Sequence, residues 1–317
     1  MTNILIAEKE FSQGAKKILA RRGKVHDFKS RGHFFKNLKN ADALLTGLEI
    51  KLSKDVLTRA PRLKLIGSRT TQLRYIDLNE CKRRGIKVVN IKADSSVLRK
   101  TPSTAEETMA LIFALLRKIP WAFDSIKKEQ WERKKYGGNE LYGKTIGLIG
   151  FGRLGRLVAK YSRAFGMEVL ASDPFVGSGV MKKCGVRKVS LDFILENSDI
   201  ISLHSVYNDF TSGMIKKPHF AKMKTSAVFL NTARGEITDE KALIWALENK
   251  KIAGAALDTL AGEKPDGSHL KKNSLVDYAR RHDNLIIVPH LGGATAEATE
   301  RTQIYISDLV AKELGKL

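Results

Sequence analysis

Thr145-Ile146-Gly147-Leu148-Ile149 runs without a break into Gly150-Phe151-Gly152-Arg153-Leu154-Gly155, and a helical stretch from Arg156 to Phe165 follows. An apolar strand, a Gly-x-Gly-x-x-Gly turn and a helix in that order make a cradle for a pyrophosphate. The first glycine permits the tight turn and the second lets the backbone approach the phosphates. The third allows close helix–strand packing, while the helix N-terminus presents its free N–H groups to the anion. Asp173 follows the next apolar run, Met167 to Ala171, and stands 18 residues beyond Gly155. An acid there accepts hydrogen bonds from both hydroxyls of an adenine ribose and repels a 2′-phosphate, which favours NAD over NADP.

The same alternation extends in both directions. Downstream, Asp199 to Leu203, Ala227 to Asn231, Gly254 to Leu257 and Leu285 to Val288 read as further strands, with helices such as Asp239 to Asn249 between them. Upstream, Ile4 to Ala7, Ala43 to Thr46, Leu63 to Gly67 and Lys87 to Asn90 are strand candidates, and Phe11 to Arg22 is a helix. Strands alternating with helices predict an α/β protein with helices packed on parallel sheets. Pro102 before Ser103 and Thr104, with Glu106 and Glu107 behind, marks a helix start. Its apolar segment, Met109 to Leu116, is expected in a core or an interface. Ala294 to Leu317 is a helical tail.

At 317 residues, 43% hydrophobic and 28% charged, the chain has the composition of a folded protein with room for two domains. Two cysteines, Cys81 and Cys184, exclude a disulfide framework and fit a reducing compartment. No Cys/His cluster suggests a metal site. No apolar run approaches the roughly 20 residues that span a bilayer, and the opening Ile4-Leu5-Ile6 is too short for a signal core. A cytoplasmic protein without membrane partners is expected. The formal charge is +22, concentrated in residues 1–100, which carry 24 Lys and Arg against 9 Asp and Glu. Such an excess is compatible with nucleic acid, an anionic substrate or a solvated surface.

Three predicted strands in the last third end on polar residues. Asn231-Thr232-Ala233-Arg234-Gly235 follows one, Asp258 ends the next with Glu263 five residues on, and Pro289-His290-Leu291-Gly292-Gly293 follows the third. Ligands of open α/β sheets bind outside the carboxyl ends of the strands, so these groups should converge with the glycine loop on one crevice. Arginine binds a carboxylate bidentately and stays charged, which suits Arg234 to an α-keto or α-hydroxy acid. Histidine exchanges a proton near neutral pH, as a hydroxyl gaining or losing hydride requires. A glutamate beside it favours the protonated ring and fixes its orientation.

In this order, the glycine loop, Asp173, Leu203-His204, the Asn231–Gly235 segment, Asp258, Glu263 and Pro289–Gly293 resemble the D-isomer-specific 2-hydroxyacid dehydrogenase family, most strongly from Pro102 to Gly293. The resemblance implies two Rossmann-like domains. Residues 1–100 plus 292–317 would form a flavodoxin-like substrate domain, and 101–291 an inserted NAD-binding Rossmann domain. It implies an NAD-dependent oxidoreductase that interconverts a small 2-hydroxy acid and its 2-oxo acid, of the glycerate/hydroxypyruvate or 3-phosphoglycerate type. Arg234 would hold the substrate carboxylate, His290 act as acid/base and Glu263 pair with it. Gly150, Gly152, Arg153, Leu154 and Gly155 would contact the pyrophosphate and Asp173 the ribose. Val206 and Thr211 would lie near the nucleotide and Ala233 and Asp258 near the nicotinamide, with His204, Thr232 and Gly292 also binding the cofactor. Dimers in the family form through the cofactor domains, which gives the Met109 helix and the Trp121 region an interface role. No appended regulatory domain is expected at this length.

The chain departs from the family pattern between Ser68 and Asp77. Gln72 stands where glycine is common and Arg74 where an acid is common. Thr71, Gln72 and Arg74 are the expected substrate contacts of this segment, and the positive potential of Arg69 and Arg74 would attract an acid or a phosphate. Ala93 to Lys100 also departs, as does the absence of a proline near Val206. The alternative is an NAD(H)-responsive, corepressor-like binding protein using its basic surface. The three catalytic residues argue against it, and nucleic acid is disfavoured as a partner.

Overall fold

The computed structural model describes residues 1–73, 75–92 and 95–316. It divides into two compact units, Met1–Thr101 with Thr295–Leu317, and Pro102–Ala294. Among the described residues the strands form two sheets, and every pair of neighbouring strands is parallel.

The first unit runs β1 (Asn3–Ile6), α1 (Gln13–Ala20), β2 (Lys24–His26), α2 (Arg31–Leu38), β3 (Ala43–Thr46), α3 (Lys54–Thr58), β4 (Leu65–Ser68), α4 (Leu78–Arg83), β5 (Lys87–Asn90) and α5 (Ser96–Arg99). Its strand order, β2-β1-β3-β4-β5, is the flavodoxin-like winding. Side chains of a strand alternate between faces. Leu5, Leu44 and Ile66 therefore join Phe34 and Leu57 on one face. Ile4, Ile6, Ala43, Leu45 and Leu65 meet Leu19, Ile306 and Val310 on the other. Ser12 and Ser30 cap α1 and α2 by accepting backbone N–H bonds.

The second unit contributes α6 (Ser103–Leu116), α7 (Ile119–Ile126), β6 (Thr145–Ile149), α8 (Arg153–Ala164), β7 (Glu168–Ser172), α9 (Ser178–Lys183), β8 (Arg187–Lys188), α10 (Leu191–Asn197), β9 (Ile200–Leu203), α11 (Lys217–Lys222), β10 (Val228–Asn231), α12 (Glu240–Glu248), β11 (Gly254–Leu257), α13 (Ser274–Ala279) and β12 (Leu285–Ile287). The chain returns to the first unit as α14 (Ala296–Leu314). The second sheet has the order β12-β11-β10-β9-β6-β7-β8, the doubly wound arrangement, which reverses direction between β6 and β9. Strands β9, β10 and β11 are buried along their whole length, as sheets covered by helices on both faces require.

Register decides what this sheet presents. Ile149 lies beside Ser172 and Leu203, Leu203 beside Asn231, Asn231 beside Leu257, and Leu257 beside Ile287. The strands thus end on one line, and the residues that follow them emerge at a common edge.

The inserted unit closes after Ala294, three residues beyond the Leu291 boundary predicted from sequence. Leu291 and Gly292 are tied back to Asp258 in the second unit, and α14 begins only at its Thr295 cap. Met109, Ile112, Leu115 and Leu116 of α6 are buried in the core of their own unit. Phe113 and Ala114 on the same helix are only partly buried. The exposed apolar surface nearby belongs to α7, where Ile119, Phe123 and Ile126 are 52%, 62% and 50% exposed. No helix among the described residues is long and apolar enough to cross a membrane. No group of three or more His, Cys, Asp or Glu among them could hold a metal ion.

Phe229 of β10 is fully buried and packs edge-on against Phe220 of α11, with ring centroids 5.2 Å apart. Phe229→Ala should lower stability by about 3–5 kcal/mol in urea titration, through lost burial and the cavity left behind.

Candidate active site

The glycine turn is built around its own backbone. Gly150 has φ +100°, and a Cβ there would lie 2.7 Å from the His204 carbonyl carbon and the Ser205 nitrogen. A Cβ at Gly155 would lie 2.4 Å from the Gly150 carbonyl oxygen. These two glycines are required by the chain's own packing. Gly152 is different, because a Cβ there meets no atom within 4 Å. It stands at the N-terminus of α8, where no side chain caps the helix. Open space before uncapped N–H groups fits a pyrophosphate.

Asp173 leaves β7 beside this turn. Its Oδ2 accepts the Phe151 N–H at 2.8 Å and its Oδ1 the Phe175 N–H at 2.8 Å. The acid expected at the ribose thus also clamps the glycine loop. Burial lowers the His204 imidazole to about pKa 4, so the ring is neutral at physiological pH, with Nε2 2.9 Å from the Ser202 hydroxyl. Thr211 closes the exposed loop after β9 by donating to the Val206 carbonyl at 2.7 Å.

At the ends of β10, β11 and β12 the structure brings three expected groups to one edge. His290 Nδ1 lies 2.7 Å from Glu263 Oε2, with both side chains largely buried. The other Glu263 oxygen accepts the Leu260 N–H at 3.0 Å, so the carboxylate is held from both sides. His290 adopts a left-handed backbone, φ +56°, and its N–H donates to the Asp258 carbonyl at 3.0 Å. Arg234 sits two strands away, about 10 Å at the usual strand spacing, with Nη1 donating to the Ala233 carbonyl at 2.6 Å. Asn231 shapes that turn. Its Oδ1 accepts the Ala233 N–H at 3.0 Å and its Nδ2 donates to the Arg234 carbonyl at 2.8 Å.

Asp258 and Thr232, both expected at the cofactor, have protein partners. The Asp258 carboxylate accepts the N–H groups of Leu291 and of Gly292, the latter at 3.0 Å, and so latches the histidine loop to β11. Burial pushes its carboxyl up to about 6 against these bonds and the nearby His290. Thr232 shares a hydroxyl hydrogen bond with Thr108 of α6 at 2.9 Å, and Thr104 donates to the Gly292 carbonyl at 2.9 Å. The α6 threonines escaped the sequence reading, since a hydroxyl on a helix gives no sign of a partner more than 100 residues away.

Thr71 and Gln72 belong to the first unit, in the loop after β4. The Thr71 carbonyl accepts from Asn90 at 3.1 Å, and the Gln72 carbonyl accepts the Thr70 hydroxyl at 2.7 Å. Arg74 lies outside the described residues. Arg69 is not a bare cation, because its Nε donates to the buried Glu8 at 2.7 Å.

Residues 109–292 match the family of the D-isomer-specific 2-hydroxyacid dehydrogenase NAD-binding domain, more than half of the chain. The chain belongs to this family. Among relatives, the D-3-phosphoglycerate dehydrogenase of Bacillus subtilis is 39% identical over 269 residues, 85% of this chain and 49% of that one. The hydroxypyruvate reductase of Thermotoga maritima is 37% identical over 286 residues, 90% of this chain and 89% of that one. The chain spans about half the length of the curated D-3-phosphoglycerate dehydrogenases that it matches. Among solved structures, the D-lactate dehydrogenase of Aquifex aeolicus, complexed with NAD and lactic acid, superposes with a TM-score of 0.80. It is 30% identical, and the match covers 99% of this chain and 96% of that one.

In this dehydrogenase fold the Asp258 latch has a pH signature. A carboxyl held above its ordinary range stabilises the fold at low pH and loses that contribution as pH rises through about 6. Wild type should therefore lose ground to Asp258→Asn between pH 4 and 7, by on the order of 1–2 kcal/mol in urea titrations. A stability difference that stays constant with pH would contradict the shift.

Proposed function

We propose that this chain interconverts a D-2-hydroxy acid and its 2-oxo acid with NAD as the hydride carrier. The observation that carries this reading is the His290–Glu263 pair, hydrogen-bonded at 2.7 Å at the same sheet edge as Arg234 and the glycine turn. When bound, the reduced nicotinamide supplies hydride to the substrate carbonyl carbon, and the oxidised form takes it back.

The residues of this chain do the rest. Gly150, Gly152, Arg153, Leu154 and Gly155 would hold the pyrophosphate, and Asp173, which accepts the Phe151 N–H of the same loop, would hold the ribose. Val206 and Thr211 would border the nucleotide, Ala233 and Asp258 would lie near the nicotinamide, and Thr232 and Gly292 would help to bind the cofactor. Arg234 binds and orients the substrate carboxylate. With Nδ1 engaged by Glu263, His290 is left to give a proton to the carbonyl oxygen, or to take it from the hydroxyl, at Nε2. Glu263 fixes the ring and stabilises its protonated form.

For substrate, we favour a small acid of the glycerate/hydroxypyruvate kind, because the hydroxypyruvate reductase relative matches over nearly its whole length. Thr71, Gln72 and Arg74 are the further substrate contacts that we propose. The nucleotide-responsive binder is not favoured, since a pure binder has no use for a carboxylate-oriented histidine. NADH oxidation with a panel of 2-oxo acids, phosphorylated and unphosphorylated side by side, tests the reading. Arg234→Ala should lower kcat/KM on the best acid by 100-fold or more and leave NADH binding within about threefold. Near-normal kcat/KM in that variant would sink the carboxylate assignment. Selective turnover of the phosphorylated acid would move the substrate to the 3-phosphoglycerate type.

The protein also fits a cytoplasmic homodimer assembled through the second unit. The exposed stripe of Ile119, Phe123 and Ile126 on α7 supports it, and Cys81 and Cys184 as free thiols support the compartment. Phe123→Glu should shift sedimentation from dimer to monomer, and a monomeric wild type would refute the assembly.

A further inference from the structure

The loop that carries Glu263 is held by more than Glu263. The peptide joining Leu260 and Ala261 lies flat on Gly235, the residue after Arg234. A Cβ at Gly235 would fall 2.1 Å from the Leu260 carbonyl carbon and 2.2 Å from the Ala261 nitrogen. The Ala261 N–H donates to Glu240 Oε1 at 2.7 Å, and the next N–H, that of Gly262, points at Glu236 Oε1 at 3.5 Å. Glu240 opens α12, whose Asp239 cap accepts the N–H groups of Lys241 and Ala242, so the helix end is anchored independently of the loop.

From this geometry we infer that Glu240 is a positioning residue: it seats the 260–263 loop against the Arg234 turn and thereby sets Glu263, and through it the His290 imidazole. The inference rests on the reading of His290 as acid/base. Two strand-end loops must agree in position, one delivering the carboxylate-binding arginine and the other the orienter of the histidine. They meet at Gly235, where the packing leaves no room for a side chain. The Ala261 N–H bond to Glu240 Oε1 holds the two together, only two residues from Glu263. Burial pushes the Glu240 carboxyl above the ordinary carboxylate range, while the Ala261 N–H bond opposes that shift. An acid in the first turn of a helix also has a plain structural use, as a favourable charge at the positive end of the helix dipole. The two roles make opposite predictions. Glutamine keeps the acceptor oxygen and loses the charge, whereas aspartate keeps the charge and loses the reach.

The test compares Glu240→Gln, Glu240→Asp and Glu240→Ala in the whole chain. Glu240→Ala and Glu240→Asp should lower kcat on the best 2-oxo acid about tenfold or more, with KM for the acid and NADH affinity within about threefold. Glu240→Gln should retain at least half of kcat. In a Glu263→Gln background, Glu240→Ala should cost less than twofold more, because a residue acting through Glu263 has nothing left to position. An aspartate that retains kcat while glutamine loses it would overturn the inference, and so would an undiminished cost in the Glu263→Gln background. A readout independent of turnover is the Nδ1–H resonance of His290 in ¹⁵N-histidine-labelled protein, assigned with His290→Asn. It should move in Glu240→Ala and hold its position in Glu240→Gln. An unmoved resonance in Glu240→Ala refutes the inference. A wild type inactive on every acid, but with the resonance displaced in Glu240→Ala, refutes the reaction and upholds the positioning role.

Discussion

Lateral hydrogen bonding between parallel strands sets the plane on which this protein's chemistry is built. Ile149, Ser172, Leu203, Asn231, Leu257 and Ile287 lie level across the second sheet. A one-residue slip of any strand would turn its buried side chains to the other face, so the apolar packing of two helical layers holds the register. Because the strands end together, Gly150, Asp173, His204, Thr232 and Asp258 start their loops from one line. Reversal of winding between β6 and β9 opens the crevice next to the glycine turn.

Just beyond that line the ladder gives way to loops, and carboxylates accept several of the N–H groups released there. Asp173 takes the N–H groups of Phe151 and Phe175, Asp258 those of Leu291 and Gly292, Glu263 that of Leu260 and Glu240 that of Ala261. A buried N–H without an acceptor costs roughly as much as a lost hydrogen bond, and an ionised acceptor makes the stronger bond. Burying the acids has its own cost, visible in the raised carboxyls of Asp258 and Glu240. His290 stands among these bonds in a left-handed backbone.

The excess positive charge has a more modest meaning than its total suggests. Much of it, including Lys17, Arg21, Arg22, Lys24 and Lys29, is exposed to solvent in the first unit. Arg69, in the loop where an anion is expected, gives its Nε to Glu8, a buried acid that also accepts from Gln303 at 3.2 Å. Its charge is therefore partly spoken for inside the protein. Surface charge of this kind favours solubility and the approach of anions rather than a particular partner.

Strand–turn–helix units were legible wherever the local pattern was long and apolar. The glycine turn, the buried strands β9 to β11 and the polar strand ends could all be read from neighbours in sequence. Two short strands could not. Lys24–His26 and Arg187–Lys188 are polar edge strands that exist only because β1 and β7 offer them a ladder. Sequence by itself determined the chemistry available: which side chains can bind a carboxylate, move a proton or cradle phosphate. Tertiary structure decided which partner each polar group takes, as in Asp258 with residues 291 and 292, Thr108 with Thr232, and Glu240 with Ala261. Those bonds join residues 21 to 124 positions apart, and no periodic pattern encodes them. They follow from how the sheet aligns its strand ends and from the cost of leaving a buried polar group unpaired.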